Sequence, residues 1–278
     1  MAERQFNVDG VRLACEDRGA GPPIMLVHGF PLDHTMWQAQ IESLATHFRV
    51  IAPDLRGFGR SALADEDVED GVTMERYAAD VVGLLDWLQV GEPMVLVGFS
   101  LGGYVGWQVA LRWPERLRGL VACDTKAVAD ADEVRAVRLK MATSAMQKGD
   151  SSPALAMLSK AFSPQTVEER PDVVERVREI IGRQTAEGVA AAQRGMARRE
   201  DVRGLLDSIT AHSLCIVGMD DAISPPKEMH EIAELLAKSG PDSVRFVEIE
   251  NAGHMSPMEN PAAVTESIAK FARECYAV

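Results

Sequence analysis

A serine flanked by glycines, in Gly98-Phe99-Ser100-Leu101-Gly102, is the strongest chemical signal in the sequence. An apolar run at 94–97 has the character of a strand, and an apolar helical pattern that includes Tyr104 and Val105 follows the motif. A strand–turn–helix of this kind holds the serine hydroxyl at the carboxyl end of a sheet, with glycine where a Cβ would clash. The helix N-terminus also carries partial positive charge, which favours a developing oxyanion. The motif therefore predicts Ser100 as a catalytic nucleophile.

A nucleophilic serine needs a general base, and His254 is the best placed of the six histidines. It follows the last apparent strand, 244–249, in a loop that we expect at the same sheet edge as Ser100. Four other histidines lie in helical patterns or beside strands: His28, His47, His212 and His230. We therefore predict that His254 accepts the proton of Ser100.

The base needs an acid that fixes its tautomer and stabilises its charged form, and we predict Asp221 for this role. Asp221 follows the apparent strand 214–217, so serine, aspartate and histidine occur in the chain order that is expected when the nucleophile lies on a strand–turn–helix of this kind. A proline four residues later marks the turn that returns the chain, which favours Asp221 over its neighbour. Two alternatives stay open: Asp220, and Asp124, which follows the apparent strand 120–123 at the same edge.

An oxyanion hole needs two backbone N–H donors. We predict one from Leu101, the residue after the nucleophile. The other should come from the loop after the apparent strand 24–27, where Gly29 allows a tight turn and Phe30 is placed to donate. Pro31 has no N–H and cannot serve.

A glycine-rich segment, Gly57-Phe58-Gly59-Arg60-Ser61-Ala62, is similar in spacing to a dinucleotide-binding fingerprint. The acidic segment 64–71 that follows is predicted to be a solvated loop, so no helix N-terminus is expected to hold a pyrophosphate. The four cysteines have no C-x-x-C spacing and form no cluster with histidine, which argues against disulfides and zinc. We predict neither a metal nor a cofactor.

Composition narrows the possible partners. The chain has 278 residues and a formal net charge of −13, and such a protein repels phosphate backbones, so we expect no nucleic-acid partner. No uninterrupted apolar stretch reaches the ~18 residues that a membrane span needs. The first residues lack the apolar core of a signal peptide, which predicts a cytoplasmic location. We expect a monomer or a small homo-oligomer.

Continuous apolar runs recur along the chain between helical patterns, and they predict the sheet that must position these residues. Runs without alternation suit strands that are covered on both faces, as in parallel sheets. Two alternating runs flank Asp9-Gly10 and predict a hairpin with a type I′ turn. We therefore expect an α/β fold with a mostly parallel, eight-stranded sheet flanked by helices. The predicted strands occupy 5–8, 11–16, 24–27, 50–52, 94–97, 120–123, 214–217 and 244–249.

The regular alternation stops between residues 126 and 210, where only helical patterns occur. We predict that 126–210 is a helical cap inserted after the sixth strand, and that 1–125 and 211–278 form the core. The insertion is nearly neutral, whereas the core carries the negative charge. Several apolar residues are candidates to line a pocket beneath the cap, although each also suits a plain core: Phe30, Phe99, Leu101, Met141, Leu158 and Phe162.

Five motifs spread over nearly the whole chain resemble those of the α/β-hydrolase superfamily. They are His28-Gly29-Phe30-Pro31, Asp54-Leu55-Arg56-Gly57-Phe58-Gly59-Arg60-Ser61, Gly98-Phe99-Ser100-Leu101-Gly102-Gly103, Asp221-Ala222-Ile223-Ser224-Pro225 and Gly253-His254-Met255-Ser256-Pro257. Within the superfamily, the chain is similar to the branch of oxoadipate enol-lactone hydrolases, carboxylesterases and cofactor-free perhydrolases. The segment Cys123-Asp124-Thr125-Lys126-Ala127 and the helical insertion are most similar to the enol-lactonases. The resemblance implies an α/β-hydrolase fold whose insertion is a lid.

The residues and the resemblance together predict a serine hydrolase that cleaves a small-molecule carboxylic ester or lactone through an acyl-enzyme. Relatives that open epoxides or cleave haloalkanes use an aspartate nucleophile, whereas this chain has Ser100 at that position. Three alternatives use the same residues and stay open. They are an enol-lactone hydrolase of aromatic catabolism, a perhydrolase that transfers the acyl group to peroxide, and a hydrolase-like ligand receptor.

Overall fold

The computed structural model describes residues 2–240 and 244–277. Eight strands form one sheet in the order β1-β2-β4-β3-β5-β6-β7-β8. The strands are β1 Ala2–Val8, β2 Val11–Arg18, β3 Pro23–Val27, β4 Arg49–Asp54, β5 Met94–Phe99, β6 Leu117–Cys123, β7 His212–Gly218 and β8 Val244–Ile249. The pairs β1/β2 and β2/β4 are antiparallel, and all others are parallel. The predicted mostly parallel, eight-stranded sheet is confirmed.

Local sequence explains why the strands begin and end where they do. Asp9 and Gly10 both have positive φ, 48° and 82°, as the two central residues of a type I′ turn require, and they join β1 to β2. Every residue of β3 and of β5 is buried, which explains their continuous apolar sequences. These two central strands carry the loop of Phe30 and the turn of Ser100.

Helices flank the sheet on the segments that connect the strands. Thr73 begins the longest of them before β5, because its hydroxyl accepts a hydrogen bond from the Arg76 N–H at 3.2 Å. The helices that connect or follow core strands are α1 Gln38–Leu44, α2 Asp65–Asp70, α3 Met74–Trp87, α4 Leu101–Arg112, α9 Pro226–Leu236, α10 Ser256–Glu259 and α11 Pro261–Tyr276. Within the described residues, no helix combines the length and the apolar character needed to cross a membrane.

The connection between β6 and β7 contains helices and no strand in the part of the chain that the structure describes. It holds α5 Asp132–Lys148, α6 Pro164–Glu169, α7 Pro171–Gly182 and α8 Ala186–Ala197, together with two 3-10 helices, Ser152–Lys160 and Arg203–Ser208. Helix α8 buries Val189, Ala190 and Ala191, and it packs against α5. By contrast, α5 leaves Val134 and Val137 largely exposed.

The acidic segment after the glycine-rich turn differs from its prediction, because α2 is a helix and not a loop. Acidic residues in a first helical turn interact favourably with the helix dipole, and the Asp67 carboxylate accepts a hydrogen bond from the Ala64 N–H at 3.2 Å. Asp67 also pairs with the buried Arg56 at 3.1 Å, so it is not a solvated residue. The three carboxylates of this first turn would repel a pyrophosphate, so this helix N-terminus does not suit a dinucleotide.

Candidate active site

Ser100 lies on a strained turn between β5 and α4. Its φ is 51° and its ψ is −110°, in a region that residues with a Cβ rarely adopt. The turn is held by its neighbours: the Ser100 N–H donates to the Cys123 carbonyl at 2.9 Å, and the Ser100 carbonyl accepts from the Thr125 hydroxyl at 2.7 Å. The carboxyl end of β6 thus fixes the backbone that presents the serine.

The glycines around the serine are required by close backbone contacts. A Cβ on Gly98 would lie 2.3 Å from the Gly102 carbonyl oxygen, and one on Gly102 would lie 2.2 Å from the Val27 carbonyl oxygen. A Cβ on Gly103 would lie 2.3 Å from the Thr125 hydroxyl. Any side chain at these positions would push α4 away from the strands and displace the serine.

Ser100, His254 and Asp221 form one continuous line of hydrogen-bonding groups. His254 Nε2 lies 3.0 Å from Ser100 Oγ, and His254 Nδ1 lies 2.9 Å from Asp221 Oδ2. The other carboxylate oxygen, Asp221 Oδ1, accepts from the N–H groups of Ile223 and Ser224 at 2.7 and 2.8 Å. This geometry matches the tautomer in which Nδ1–H donates to the carboxylate and Nε2 accepts the serine proton.

The electrostatics of the pair suit a base that must become positively charged. Burial acts to raise the pKa of Asp221, but the neighbouring His254 charge and three hydrogen bonds outweigh it and hold that pKa below its ordinary value. Burial acts to lower the pKa of His254, but the Asp221 carboxylate outweighs it and raises that pKa. An ionised aspartate is therefore paired with an imidazole whose protonated form is stabilised.

The two alternative acids lie elsewhere. Asp220 is exposed. Asp124 is fully buried, and its carboxyl group accepts from the Gly218 N–H at 2.8 Å and is hydrogen-bonded to the Ser256 hydroxyl. Burial, together with the charge of Asp221, raises the pKa of Asp124 to about 8, and it forms no hydrogen bond to the imidazole within the described residues.

The predicted oxyanion donors occupy positions that leave their N–H groups available. Leu101 is the first residue of α4, where backbone N–H groups have no intrahelical acceptor. Phe30 follows β3 and lines the same cavity as Ser100. Neither N–H donates to a protein acceptor in the part of the chain that the structure describes. A Cβ on Gly29 would lie 2.5 Å from the Phe99 ring, which explains the glycine before Phe30.

A cavity of about 350 Å³ opens beside Ser100, and its wall combines core and insertion residues. Of the predicted lining residues it contains Phe30 and Met141, but not Phe99, Leu101, Leu158 or Phe162. Phe99 is buried, with its ring centroid 5.3 Å from that of His254 and 6.3 Å from that of Trp37. Leu101 is also fully buried. The Phe162 backbone lies against Gly253, and Leu158 packs on the hydrophobic core.

Sequence reasoning missed most of the insertion's contribution to this wall. Val134, Val137 and Met141 recur at helical spacing on α5, and this apolar stripe was the available signal. Polar members such as Arg138 gave no such signal. The further lining residues are Tyr104, Met157, Lys160, Gln193, Met196 and Ile223.

A buried carboxylate that the sequence did not single out holds the histidine loop. Glu259 Oε1 accepts from the N–H groups of Gly253 and Met255, at 2.9 and 3.1 Å, and these two residues flank His254. Its other oxygen, Oε2, accepts from the Ser163 N–H of the insertion at 2.8 Å. One side chain therefore connects the loop of the predicted base to residues 126–210.

Asp33, His34 and Asp54 bring three groups of metal-ligating type together, but their lone pairs are already used. His34 Nδ1 lies 2.6 Å from Asp54 Oδ1. Asp33 receives two hydrogen bonds from Arg183, at 2.8 and 2.9 Å, and Asp54 accepts from the Arg60 N–H at 3.1 Å. Cations and N–H donors of the protein occupy this cluster, so it does not have the chemistry of an open metal site.

Known proteins share this fold. Residues 22–261 match the family model of the alpha/beta hydrolase fold. A solved structure titled as a thermophilic esterase from Thermogutta terrifontis, malate bound, is similar over 99% of both chains, with a TM-score of 0.92 and 40% identity. The 3-oxoadipate enol-lactonase 2 of Acinetobacter baylyi is 26% identical, covering 89% of this chain and 87% of its own length.

Relatives with another named activity also match. Epoxide hydrolase A of Mycobacterium tuberculosis is 29% identical, covering 97% of this chain and 96% of its own length. The neighbours therefore include esterases, lactonases and epoxide hydrolases, which share a fold and differ in reaction. Because the family model covers most of its length, the chain belongs to the alpha/beta hydrolase fold family.

Proposed function

We propose that this protein is a serine hydrolase that cleaves a carboxylic ester or lactone of a small molecule through an acyl-enzyme intermediate. The hydrogen-bonded line from Asp221 through His254 to Ser100, with separations of 2.9 and 3.0 Å, is the observation that carries the proposal. A serine hydroxyl becomes an effective nucleophile only when an adjacent base can take its proton. Here the base is oriented by a buried carboxylate and contacts the hydroxyl directly.

The reaction proceeds in two halves. His254 takes the Ser100 proton as Oγ attacks the substrate carbonyl, and the Phe30 and Leu101 N–H groups stabilise the oxyanion. The tetrahedral intermediate collapses, the carbon–oxygen bond to the leaving group breaks, and His254 returns the proton to the departing alkoxide. Water, deprotonated by His254, then attacks the acyl carbonyl, and Ser100 leaves as the hydroxyl.

The nucleophile type argues against the epoxide hydrolase activity of some relatives. A carboxylate that opens an epoxide forms an ester, which water can hydrolyse in a second step. A serine would instead form an ether, and the site would not turn over. Ser100 therefore favours the esterase and lactonase activities named among the relatives.

Residues 126–210 are the proposed cap of the active site, on a core formed by 1–125 and 211–278. The support is the cavity beside Ser100, because Met141 on α5 and Met196 on α8 line it together with Phe30 of the core. The acyl or alcohol group of the substrate would then contact the insertion. The cytoplasmic location and the monomer or small homo-oligomer stay predictions.

Hydrolysis of para-nitrophenyl esters from acetate to decanoate tests the proposal, with Ser100→Ala as the blank. We expect turnover that depends on the serine and has an optimum at the chain length that fits the cavity. A folded wild-type protein with no more turnover than Ser100→Ala would reject the esterase.

A set of lactones then tests the second substrate class. Peracid formed from acetate and peroxide would indicate a perhydrolase, and thermal stabilisation by a ligand without turnover would indicate a receptor.

A further inference from the structure

The cavity beside Ser100 has positive charge on its wall. Arg138 and Lys160 line it, and both belong to the helical insertion. No aspartate or glutamate is among the described residues that line it. This composition contrasts with the whole chain, whose formal net charge is −13. The cavity therefore differs in sign from the protein that surrounds it.

The ion pairs behind this wall do not cancel the charge. Asp130 Oδ2 accepts from Arg138 Nε at 2.5 Å, and Asp130 Oδ1 accepts from Arg199 Nη2 at 2.8 Å. Arg199 lies over the ring of Tyr104, 4.2 Å from its centroid, and Tyr104 itself lines the cavity. Two guanidinium groups thus share one carboxylate, so one positive charge is left uncompensated at this wall.

Both lining cations still have hydrogen-bond donors to offer. Arg138 Nη1 donates to Gln193 at 3.2 Å, but Nη2 reaches only Asp130, at 3.5 Å, within the described residues. Lys160 ends a 3-10 helix, is exposed, and forms no ion pair in the described part of the chain. Each cation can therefore donate to a ligand without giving up a strong existing bond.

The remaining wall strengthens such an interaction because it is largely apolar. It includes Met141, Met157 and Met196, with Val134 and Val137 on the exposed side of α5. Apolar surroundings lower the local dielectric and raise the energy of a charge-assisted hydrogen bond. They also favour a hydrocarbon segment between a charged end and a reacting carbonyl.

We propose that the natural ester or lactone carries an anionic group, a carboxylate, which Arg138 and Lys160 bind while the scissile carbonyl meets Ser100. This inference rests on the proposed function and specifies its substrate class. The insertion supplies the specificity for the anion, and the core supplies the bond cleavage. Arg138 and Lys160 are thereby assigned as specificity-determining residues.

The test compares two esters that differ by one charge, mono-para-nitrophenyl glutarate and para-nitrophenyl methyl glutarate. We expect wild-type kcat/KM to favour the anionic ester by roughly tenfold or more, since hydrogen bonds to charged groups are the strong ones. The preference should shrink as NaCl rises from about 20 to about 500 mM, because salt screens a partly exposed pair. The rate without enzyme and the Ser100→Ala rate are subtracted from both.

Single substitutions locate the effect. Lys160→Gln should lower the preference by roughly 2–5-fold, since an exposed cation interacts weakly, and Arg138→Gln should lower it further. Lys140→Gln is the matched control, because Lys140 is an exposed lysine of α5 that does not line the cavity. In Lys140→Gln, the ratio of kcat/KM for the anionic ester to kcat/KM for the neutral ester should equal that of the wild type. Lys160 is exposed, so its variant tests the inference even if Arg138→Gln fails to fold.

The outcomes separate this inference from the proposed function. Serine-dependent cleavage of both esters at equal kcat/KM, or a preference that Lys160→Gln and Arg138→Gln leave unchanged, rejects the anion site and keeps the esterase. If neither ester is cleaved, the esterase part of the proposed function fails, and binding decides the inference. Ser100→Ala should then bind monomethyl glutarate more tightly than dimethyl glutarate by calorimetry, and equal or absent binding of the two overturns it.

Discussion

At the scale of single residues, Asp221 and Asp220 are adjacent in sequence but differ in what their carboxylates contact. Asp221 is buried against the imidazole of His254, whereas Asp220 is exposed. Asp221→Asn removes the negative charge and presents an amide that favours the wrong histidine tautomer. We expect kcat for para-nitrophenyl acetate to fall by about 10³–10⁴-fold with little change in unfolding temperature. Asp220→Asn is the control and should keep wild-type kcat, and an equal loss in both variants would contradict the assignment.

The raised pKa of Asp124 makes a second prediction, on the pH dependence of stability. In the folded protein this carboxyl keeps its proton up to about pH 8, whereas an unfolded aspartate loses it near its ordinary value of 3.8. Its contribution to folding is therefore complete below the unfolded value and is lost as the pH rises through about 8. Asp124→Asn, which stays neutral, should gain in unfolding temperature relative to the wild type as the pH rises from about 4 to about 8.

Thermal melts across that pH range measure the difference between Asp124→Asn and the wild type. The asparagine keeps an acceptor for the Gly218 N–H, and its N–H₂ group can donate to the Ser256 hydroxyl and the Cys123 sulfur, which now contact Asp124 Oδ2. Asp220→Asn, whose carboxylate is exposed, should show no such trend. A difference between Asp124→Asn and the wild type that does not change with pH would show that Asp124 is ionised in the folded protein.

The sequence could limit the acid to three aspartates but could not choose among them by geometry. Asp124 and Asp221 both follow parallel strands, and such strands end at one edge of a sheet. The choice depends on the direction of each side chain, which comes from local backbone angles: Asp124 has a positive φ of 45° and meets Ser256 instead of the imidazole. Ser100 could be predicted because the glycines that its turn requires are its close neighbours in the sequence.

At the scale of elements, the loop of His254 is held by Glu259, which lies in α10 and also contacts the insertion. Glu259→Gln replaces one acceptor oxygen by an N–H₂ group, so a buried backbone N–H loses its acceptor. We expect kcat to fall by roughly tenfold or more with KM nearly unchanged, because the imidazole loses its fixed position while the cavity wall remains.

The control is Glu250→Gln, because Glu250 is an exposed glutamate directly after β8, in the connection that leads to α10. This variant should keep the wild-type kcat. The dependence of kcat on pH should also change in Glu259→Gln, because the position of the imidazole relative to Asp221 sets its proton affinity. Loss of stability with an unchanged kcat and an unchanged pH profile would show that Glu259 is structural only.

Elements were predictable where a strong pattern lies within one segment. The strands β3 to β8 were found from apolar runs, and β1 and β2 from the alternating runs on either side of Asp9-Gly10. Helix α2 was missed because its six residues are mostly acidic and show no apolar periodicity. It is stabilised by an ion pair between Asp67 and the buried Arg56, which lies outside the segment. The pocket residues Phe99 and Phe162 were misplaced for a related reason: periodicity shows that a residue is apolar but not which neighbour covers it.

At the scale of the whole molecule, the insertion is joined to the core by an ion pair whose two members differ in burial. Arg183 lies between α7 and α8, and its guanidinium donates twice to Asp33 in the loop after β3. The Asp33 side chain is 3% exposed and that of Arg183 is 41% exposed. Burial acts to raise the pKa of Asp33, but the hydrogen bonds from Arg183 and Thr35 outweigh it and hold that pKa below its ordinary value.

Because the two side chains differ in burial, we expect the replacement of Arg183 and the replacement of Asp33 to lower the free energy of unfolding by different amounts. Arg183→Met leaves a buried carboxylate without its cation and should cost about 2 kcal/mol in the free energy of unfolding, which is less than for a fully buried pair because Arg183 is partly solvated and Gln184 still donates to Asp33. Asp33→Asn leaves a guanidinium that water can solvate, and the asparagine still accepts from the Thr35 N–H, so its cost should be closer to about 1 kcal/mol. Urea unfolding at neutral pH measures both variants.

Arg203→Met provides the comparison, because the Arg203–Asp201 pair is exposed on both sides and should contribute little. Equal losses in Arg183→Met and Asp33→Asn would show that the carboxylate is solvated in the folded protein. Arg183→Met should therefore lose more unfolding free energy than Asp33→Asn. This difference also affects the cavity, because Lys160 and Arg138 belong to the insertion that Arg183 holds on the core. Arg183→Met should weaken the preference for an anionic ester as well as lower the free energy of unfolding. Asp33→Asn should reduce the preference and the free energy of unfolding to a smaller extent.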